Sequence, residues 1–314
     1  MNSIIYIIKI MLKIIKRITR QLNSFVAKFE NENTIICKRL KDEAGFVVPN
    51  INSVWSPPPQ PLHEECLIIA NGPSFLEIMD QCLNYRNKVD VYTLNSATLA
   101  EWFFVFRPEY HMIFDHCDFD TSLPNGIIHK DTIESTWLMF KKVDWALQLG
   151  VPYENVSNAG KLIDNKNIKI TGYSRFELPE NHPEPMKVLS LGYYIIGNHN
   201  SVVRSLCMAL VAGYKKIWFA GGDATLINSF YTDEYCRIHR QFSHSYGSPN
   251  IFPDYLDLKE RMRSNFYFIS QLEFIKRLAA QNGVQIVNLS MKSLLDTFPK
   301  GEIGKTHLPW KPPV

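Results

Sequence analysis

The stretch that decides the fold is Cys66-Leu67-Ile68-Ile69-Ala70-Asn71-Gly72-Pro73-Ser74. Its apolar first half has the length and composition of a short buried strand. Asn-Gly-Pro-Ser then stops that strand, and the apolar spacing from Phe75 to Leu83 predicts a helix. Gly72 allows a tight turn or a close approach of backbone to ligand, and Pro73, without an N–H, suits the start of a helix. Asn71 and Ser74 place short polar side chains beside the free N–H groups of the helix N-terminus, an arrangement suited to phosphate. An ordinary strand-to-helix turn has the same local signature.

Further along, polar clusters recur just beyond strand-like runs. Leu94-Asn95-Ser96 follows Val89–Thr93, and Ile113-Phe114-Asp115 ends a run that begins near Tyr110. Ile196-Gly197-Asn198-His199-Asn200-Ser201 opens an apolar helix that closes at Gly213, and Lys216-Ile217-Trp218-Phe219-Ala220 runs into Gly221-Gly222-Asp223. In an open parallel sheet the carboxyl ends of the strands share one edge, where ligands bind. The fold expected is therefore α/β, a mainly parallel Rossmann-like sheet flanked by helices. Asn71, Gly72, Pro73, Ser74, Asn95, Asp115, Asn200, Ser201 and Gly222 are its candidate nucleotide-binding residues.

This order of motifs resembles the bacterial sialyltransferases that use a CMP-activated donor on a variant GT-A-like fold. It is also similar to their wider superfamily of motility-accessory-factor glycosyltransferases and 6-hydroxymethylpterin pyrophosphokinases. The family's Gly-Asn-Gly-Pro-Ser turn corresponds to Ala70-Asn71-Gly72-Pro73-Ser74, and its second asparagine to Asn95. Its Thr-Ser-Gly helix opening falls on Asn200-Ser201-Val202, and its Gly-x-Asp motif on Gly221-Gly222-Asp223. Ala212-Gly213-Tyr214-Lys215-Lys216-Ile217 matches closely, and Gln285–Asn288 with Ser293-Leu294-Leu295 looks like the family's last strand and helix. Two departures stand out. Asp115 replaces the usual asparagine of the sialyltransferases, and Thr225 stands where they have a tyrosine, with Tyr231 as the match for a second one.

The resemblance implies glycosyl transfer from a CMP-sugar, sialic-acid-like donor onto a lipopolysaccharide, capsule or other cell-surface glycan. That chemistry needs donors for the leaving phosphate and a base for the acceptor hydroxyl. His244, in Ser243-His244-Ser245-Tyr246-Gly247, occupies the interval that holds the family's catalytic histidine, and His239 is the alternative. Tyr246 and Asp223 complete the candidate catalytic set. Asp223 has two readings, orienting the donor or capping the following turn. Asp118-Phe119-Asp120 has the spacing of a metal-binding Asp-x-Asp, so magnesium is possible, although a one-phosphate donor needs no obligate cofactor. The rival readings are a magnesium-dependent diphosphotransferase of the pterin pyrophosphokinase type and a non-catalytic, membrane-attached member of the fold.

With 314 residues, 46% of them hydrophobic, the chain can bury a full α/β core. The six cysteines show no Cys-x-x-Cys spacing, which argues against a disulfide framework or a zinc site. Residues 1–29 differ from the rest. They hold Lys9, Lys13, Lys16, Arg17, Arg20 and Lys28 and no acid, a charge of +6 that leaves the remainder of the +3 chain at −3. On a helical projection the five bases from Lys9 to Arg20 share a narrow arc, and Ile4, Ile7, Ile8, Met11, Leu12, Ile15 and Ile18 lie outside it. Residues 1–47 are read as a basic amphipathic segment on the inner face of the cytoplasmic membrane, an anionic surface. Lys9 and Lys13 break the apolar run that a signal peptide or a spanning helix needs. A helix that packs on protein instead has the same pattern.

Residues 48–62, centred on Pro57-Pro58-Pro59, form an extended linker, 63–305 the catalytic domain, and 306–314 a non-helical tail. Within the domain, 122–190 is expected to be an acceptor-binding or lid insertion, with a helical pattern over Thr136–Leu149. The partners expected are a nucleotide sugar, a glycan or glycolipid acceptor and the membrane surface, with homo-oligomers possible and no sign of nucleic-acid binding.

Overall fold

The computed structural model describes residues 60–114, 118–119, 130–190, 192, 194–197, 200–224, 230–232, 234–235, 238–253 and 258–305. The basic segment 1–47, nearly all of the linker, the tail 306–314, and Asp115 and Asp120 lie outside them.

Strands β1 (Glu65–Ile69), β2 (Asp90–Leu94), β3 (Tyr110–Met112), β4 (Leu147–Pro152), β5 (Ile168–Tyr173), β6 (Lys216–Ala220) and β10 (Gln285–Asn288) form one sheet. Their order is β10-β6-β1-β2-β3-β4-β5, with β1 near the middle. Every pairing in the sheet is parallel, with Leu67 opposite Val91 on one side and Trp218 on the other. A parallel sheet is covered on both faces, so its strands are apolar on both. Cys66, Ile68, Tyr92, Ile217 and Phe219 belong to one core, and Leu67, Ile69, Val91, Trp218 and Val287 to the other.

The chain first moves outward, from β1 to β5, through α1 (Phe75–Asn84), α2 (Glu101–Phe106), α3 (Lys130–Met139) and α4 (Val156–Leu162). It then returns across β1 through α5 (Pro185–Ser190), α6 (Ser201–Ala212) and, after β6, α7 (Leu258–Gln281). Right-handed crossovers in opposite directions place helices on opposite faces. The cores divide accordingly. Phe75, Phe103, Trp137 and Ala159 of the outward helices join one, and Val188, Leu206 and Ile275 of the returning helices join the other. The fold is α/β and doubly wound, and the reversal falls between β1 and β6.

Three expectations change. The segment expected as a lid or acceptor insertion builds part of the sheet, because β4, α4 and β5 all lie within it. The helical pattern expected to reach Leu149 stops at Met139, followed by a 3-10 turn over Phe140–Lys142. Asn165 Nδ2 donates to the Phe140 and Val143 carbonyls, and Asn167 Nδ2 to Val143, which closes the helix end and lets the chain enter β4. Near the C-terminus, the helix expected at Ser293-Leu294-Leu295 is an irregular loop.

The interval that holds His239 and His244 is a hairpin. Strands β7 (Phe230–Thr232), β8 (Ile238–His244) and β9 (Gly247–Pro253) form a separate antiparallel sheet, and Ser245-Tyr246 is the two-residue turn between β8 and β9.

Candidate active site

At the switch point the two turns beyond β1 and β6 are bonded to each other. Ala70 N donates to Ala220 O at 2.8 Å and Gly72 N to Gly221 O at 2.9 Å. A Cβ on Gly72 would lie 2.3 Å from the Gly221 oxygen, so only glycine fits. Gly221, at φ +68°, is held just as closely against the Ala70 carbonyl. Ser293 Oγ donates to Gly222 O at 2.6 Å, so Gly222 is packed into the loop beyond β10.

Asp223 fills the position in which the sequence reading places a phosphate. Its Oδ2 accepts from Ser74 N at 3.0 Å, and its Oδ1 accepts from the Ser74 hydroxyl. Ser74 and Ser290 hydroxyls lie 2.7 Å apart, and Ser290 Oγ accepts from Gly221 N at 2.9 Å. Phe75 N, Leu76 N and Glu77 N point back to Gly72 O, Pro73 O and Ser74 O. The N–H groups of the turn from Gly72 to Ser74 and of the first turn of α1 are therefore spent within the protein. A buried carboxylate already occupies the positive end of α1, where it is favoured by the helix dipole. A second anion there would meet repulsion. Asp223 therefore caps the start of α1 from the other side of the switch point, whereas the sequence places its capping role at the turn that follows it.

Further polar groups gather at the same edge. Asn71 Nδ2 donates to Leu94 O at 3.1 Å, tying the end of β1 to that of β2, while its Oδ1 is buried without a hydrogen-bond partner. Asn95 follows at φ +47°, a left-handed conformation that asparagine tolerates better than most residues. Its Oδ1 accepts from Phe114 N at 3.3 Å, and its carbonyl accepts from His111 Nε2 at 2.8 Å. A carbonyl only accepts, so Nε2 carries the proton and Nδ1 accepts from the Thr93 hydroxyl at 2.7 Å. Burial pushes the His111 pKa down to about 3, so the ring is neutral and serves as a brace for Asn95.

The hairpin turn docks onto this edge. Ser245 N donates to Asn71 O at 2.8 Å. Tyr246 is hydrogen-bonded to Ser96, and its ring packs with the core beneath α1 and α2. Burial, aided by the nearby Asp118 carboxylate, raises the Tyr246 pKa to about 12, which keeps the phenol protonated at neutral pH. His244 stacks on Tyr246, with ring centroids 4.8 Å apart and planes at 15°. His239 sits inside β8, opposite Tyr231 on one side and Pro253 on the other. At about 3.4 Å per residue along a strand, it is on the order of 17 Å from the turn.

On the opposite sheet face, α6 runs over β1, β2 and β6 toward the amino edge, so its first turn lies at the carboxyl edge. Asn200 caps it, accepting from Val202 N at 2.8 Å and Val203 N at 3.4 Å, and Ser201 is half-buried beside that cap. Arg204 is a residue that pattern reading passes over. It is buried in an otherwise apolar helix, donates to Gly197 O at 3.2 Å and the Tyr173 hydroxyl at 3.3 Å, and lies over the Phe114 ring at 4.7 Å. A lone charge in such a helix is the available signal. Ser290 has none, since an isolated serine carries no spacing.

The structure thus brings Asn71, Asn95, His244 and Tyr246 to one edge, with Ser201 on the far side of it. Gly72, Pro73, Ser74, Gly222 and Asp223 form the packed floor beneath. No group of three or more His, Cys, Asp or Glu side chains capable of holding a metal occurs among the described residues.

Neither a family model nor a curated protein matches the chain. A solved structure does. The MAf glycosyltransferase from Magnetospirillum magneticum AMB-1 is similar to it at 9% identity and a TM-score of 0.47, over 82% of this chain and 36% of that one.

Proposed function

We propose that this chain is a glycosyltransferase that moves a CMP-activated, sialic-acid-like sugar onto a lipopolysaccharide, capsule or other cell-surface glycan at the cytoplasmic membrane surface. The observation that carries the reading is the docked hairpin turn, which seats His244 on Tyr246 beside Asn71 and Ser96 at the ends of β1 and β2. Neutral polar side chains of this kind suit hydroxyls, and imidazole is the side chain best matched to taking an acceptor's proton at neutral pH.

In this scheme Asn71 Oδ1 accepts from a hydroxyl or amino group of the nucleoside, and Asn95 shapes the end of β2 around it. The leaving phosphate is served by the first turn of α6 and the Ser201 hydroxyl, where the dipole of a twelve-residue helix favours negative charge. His244 removes the acceptor proton as the glycosidic bond forms and CMP departs. Tyr246, held protonated, positions the imidazole from below. Residues 1–29 keep the domain at the membrane on which a lipid-linked acceptor resides.

The test is release of CMP from CMP-N-acetylneuraminate with a panel of glycan acceptors. General-base catalysis contributes about 10²–10⁴-fold, so His244→Ala lowers turnover by that factor with CMP affinity retained. His239→Ala, far along the hairpin, stays near the wild-type rate. The reverse pattern moves the base to His239, and full rates in both variants reject a histidine base. A rate that appears only with ATP and magnesium favours the diphosphotransferase reading.

A further inference from the structure

Helix α7 is longer than the sheet it covers. Its 24 residues span about 36 Å, whereas a strand of five residues spans about 17 Å. It ends just before β10, whose first residue lies at the amino edge of the sheet, so its opening turns stand at the carboxyl edge, level with the candidate active site. The second half is anchored, with Leu272, Phe274, Ile275, Leu278 and Ala279 buried in the core.

The first half is built differently. Leu258, Met262, Phe266 and Ile269 are 53%, 42%, 70% and 38% exposed. At about 100° per residue these four fall within an arc of about 80°, roughly opposite the direction of the anchored residues. Solvent-facing positions of a helix are ordinarily polar, and here four of them form an apolar stripe beside the exposed Lys259 and Arg263. On the same projection Lys259 and Arg263 follow at about 100° and 140°, so two bases line one side of the stripe. Glu260, farther round, is paired with Arg263 at 2.9 Å. An apolar stripe flanked by bases matches an anionic lipid interface, into which such a helix face sinks about 5–10 Å.

We infer that the first half of α7 is a second membrane-contact surface, and that it turns the carboxyl edge of the sheet toward the lipid headgroups. This deepens the membrane-surface part of the proposed function, placing the site where a lipid-linked acceptor presents its glycan. The occupant is the anionic bilayer. Residues 1–29 are themselves basic, so charge complementarity favours lipid over that segment.

The test uses the full chain carrying Phe266→Trp and vesicles of phosphatidylglycerol brominated along the acyl chains. The inference expects quenching beyond that of the wild-type tryptophans with brominated phosphatidylglycerol and little with brominated phosphatidylcholine. It also expects the double variant Met262→Glu/Phe266→Glu to lower vesicle partitioning by roughly tenfold or more, while Val105→Glu, an exposed apolar position on the other sheet face, leaves it unchanged. Sedimentation with vesicles without added quenching overturns the inference and leaves residues 1–29 as the contact. Concentration-dependent dimers without lipid that Phe266→Glu dissolves overturn it in favour of a second copy. If the added indole of the Phe266→Trp chain is shielded without vesicles, and exposed by deleting residues 1–29, the inference is overturned in favour of that segment. None of these results bears on CMP release, which tests the catalytic reading separately.

Discussion

Replacing Asp223 with alanine separates its two roles. The carboxylate accepts from the Ser74 amide at 3.0 Å and from the Ser74 hydroxyl, and it lies at the N-terminus of α1 with only 7% of its surface exposed. A hydrogen bond to a charged group contributes about 1.5–3 kcal/mol, and a partly buried anion at a helix N-terminus up to about 2 kcal/mol. Ser74 Oγ keeps Ser290 as a partner, so the amide bears most of the loss. Alanine therefore costs about 2–5 kcal/mol, a large part of the roughly 5–15 kcal/mol that holds a domain together. Asparagine keeps one acceptor for Ser74 N and loses the charge, for about 1–2 kcal/mol. Urea denaturation of the full chain measures both, with CMP release assayed on the same preparations. An Asp223→Ala chain within about 0.5 kcal/mol of wild type, the spread of ordinary surface changes, yet with turnover lost, would refute the capping account and make Asp223 a donor-orienting group.

Two further outcomes follow from buried titratable groups. His111 is wholly buried and its pKa is lowered to about 3, against about 6.5 unfolded, so the native state binds fewer protons. Above about pH 6.5 both states are neutral and nothing is lost, whereas below it stability falls by about 1.4 kcal/mol per unit until the folded pKa is reached. Urea titrations at pH 6.5 and 5 on wild type and His111→Gln measure the difference in slope, and equal slopes contradict a neutral buried ring. Tyr246, with its pKa raised to about 12, is protonated at working pH. Tyr246→Phe therefore keeps the wild-type pH–rate profile up to pH 9 at a lowered rate, and a missing alkaline limb would mean that the phenol titrates in catalysis.

Much of the scaffold was legible because continuous apolar runs and end signals agreed. The β1 turn into α1 reads directly from Leu67 to Phe75, and α6 is bracketed by the Asn200 cap and by Gly213 at φ +93°. Strand β6 falls where its apolar run places it, and β10 where the family resemblance does. Strand β4 was hidden, since Gln148, Gly150 and Pro152 dilute its pattern and the preceding helix is closed from a distance by Asn165 and Asn167. The site was legible in part. Strand ends point to Asn71 and Asn95, but local reasoning credits the N–H groups of α1 to a phosphate. Ser74 instead bonds Asp223 and Ser290, 149 and 216 residues away, and the next three N–H groups bond back to the carbonyls of the turn. The seating of Ser245 and Tyr246 is equally non-local, because the hairpin carries no apolar alternation that announces it.

The central claim is that a cytidine nucleotide binds where the hairpin turn meets the ends of β1 and β2. Calorimetric titration of CMP into the full chain and into Asn71→Ala tests it most directly. Wild type is expected to bind CMP saturably, and a folded Asn71→Ala chain more weakly by about 0.5–1.5 kcal/mol, or roughly 2–13-fold. Unchanged affinity in that variant, or no CMP binding to wild type, would contradict it.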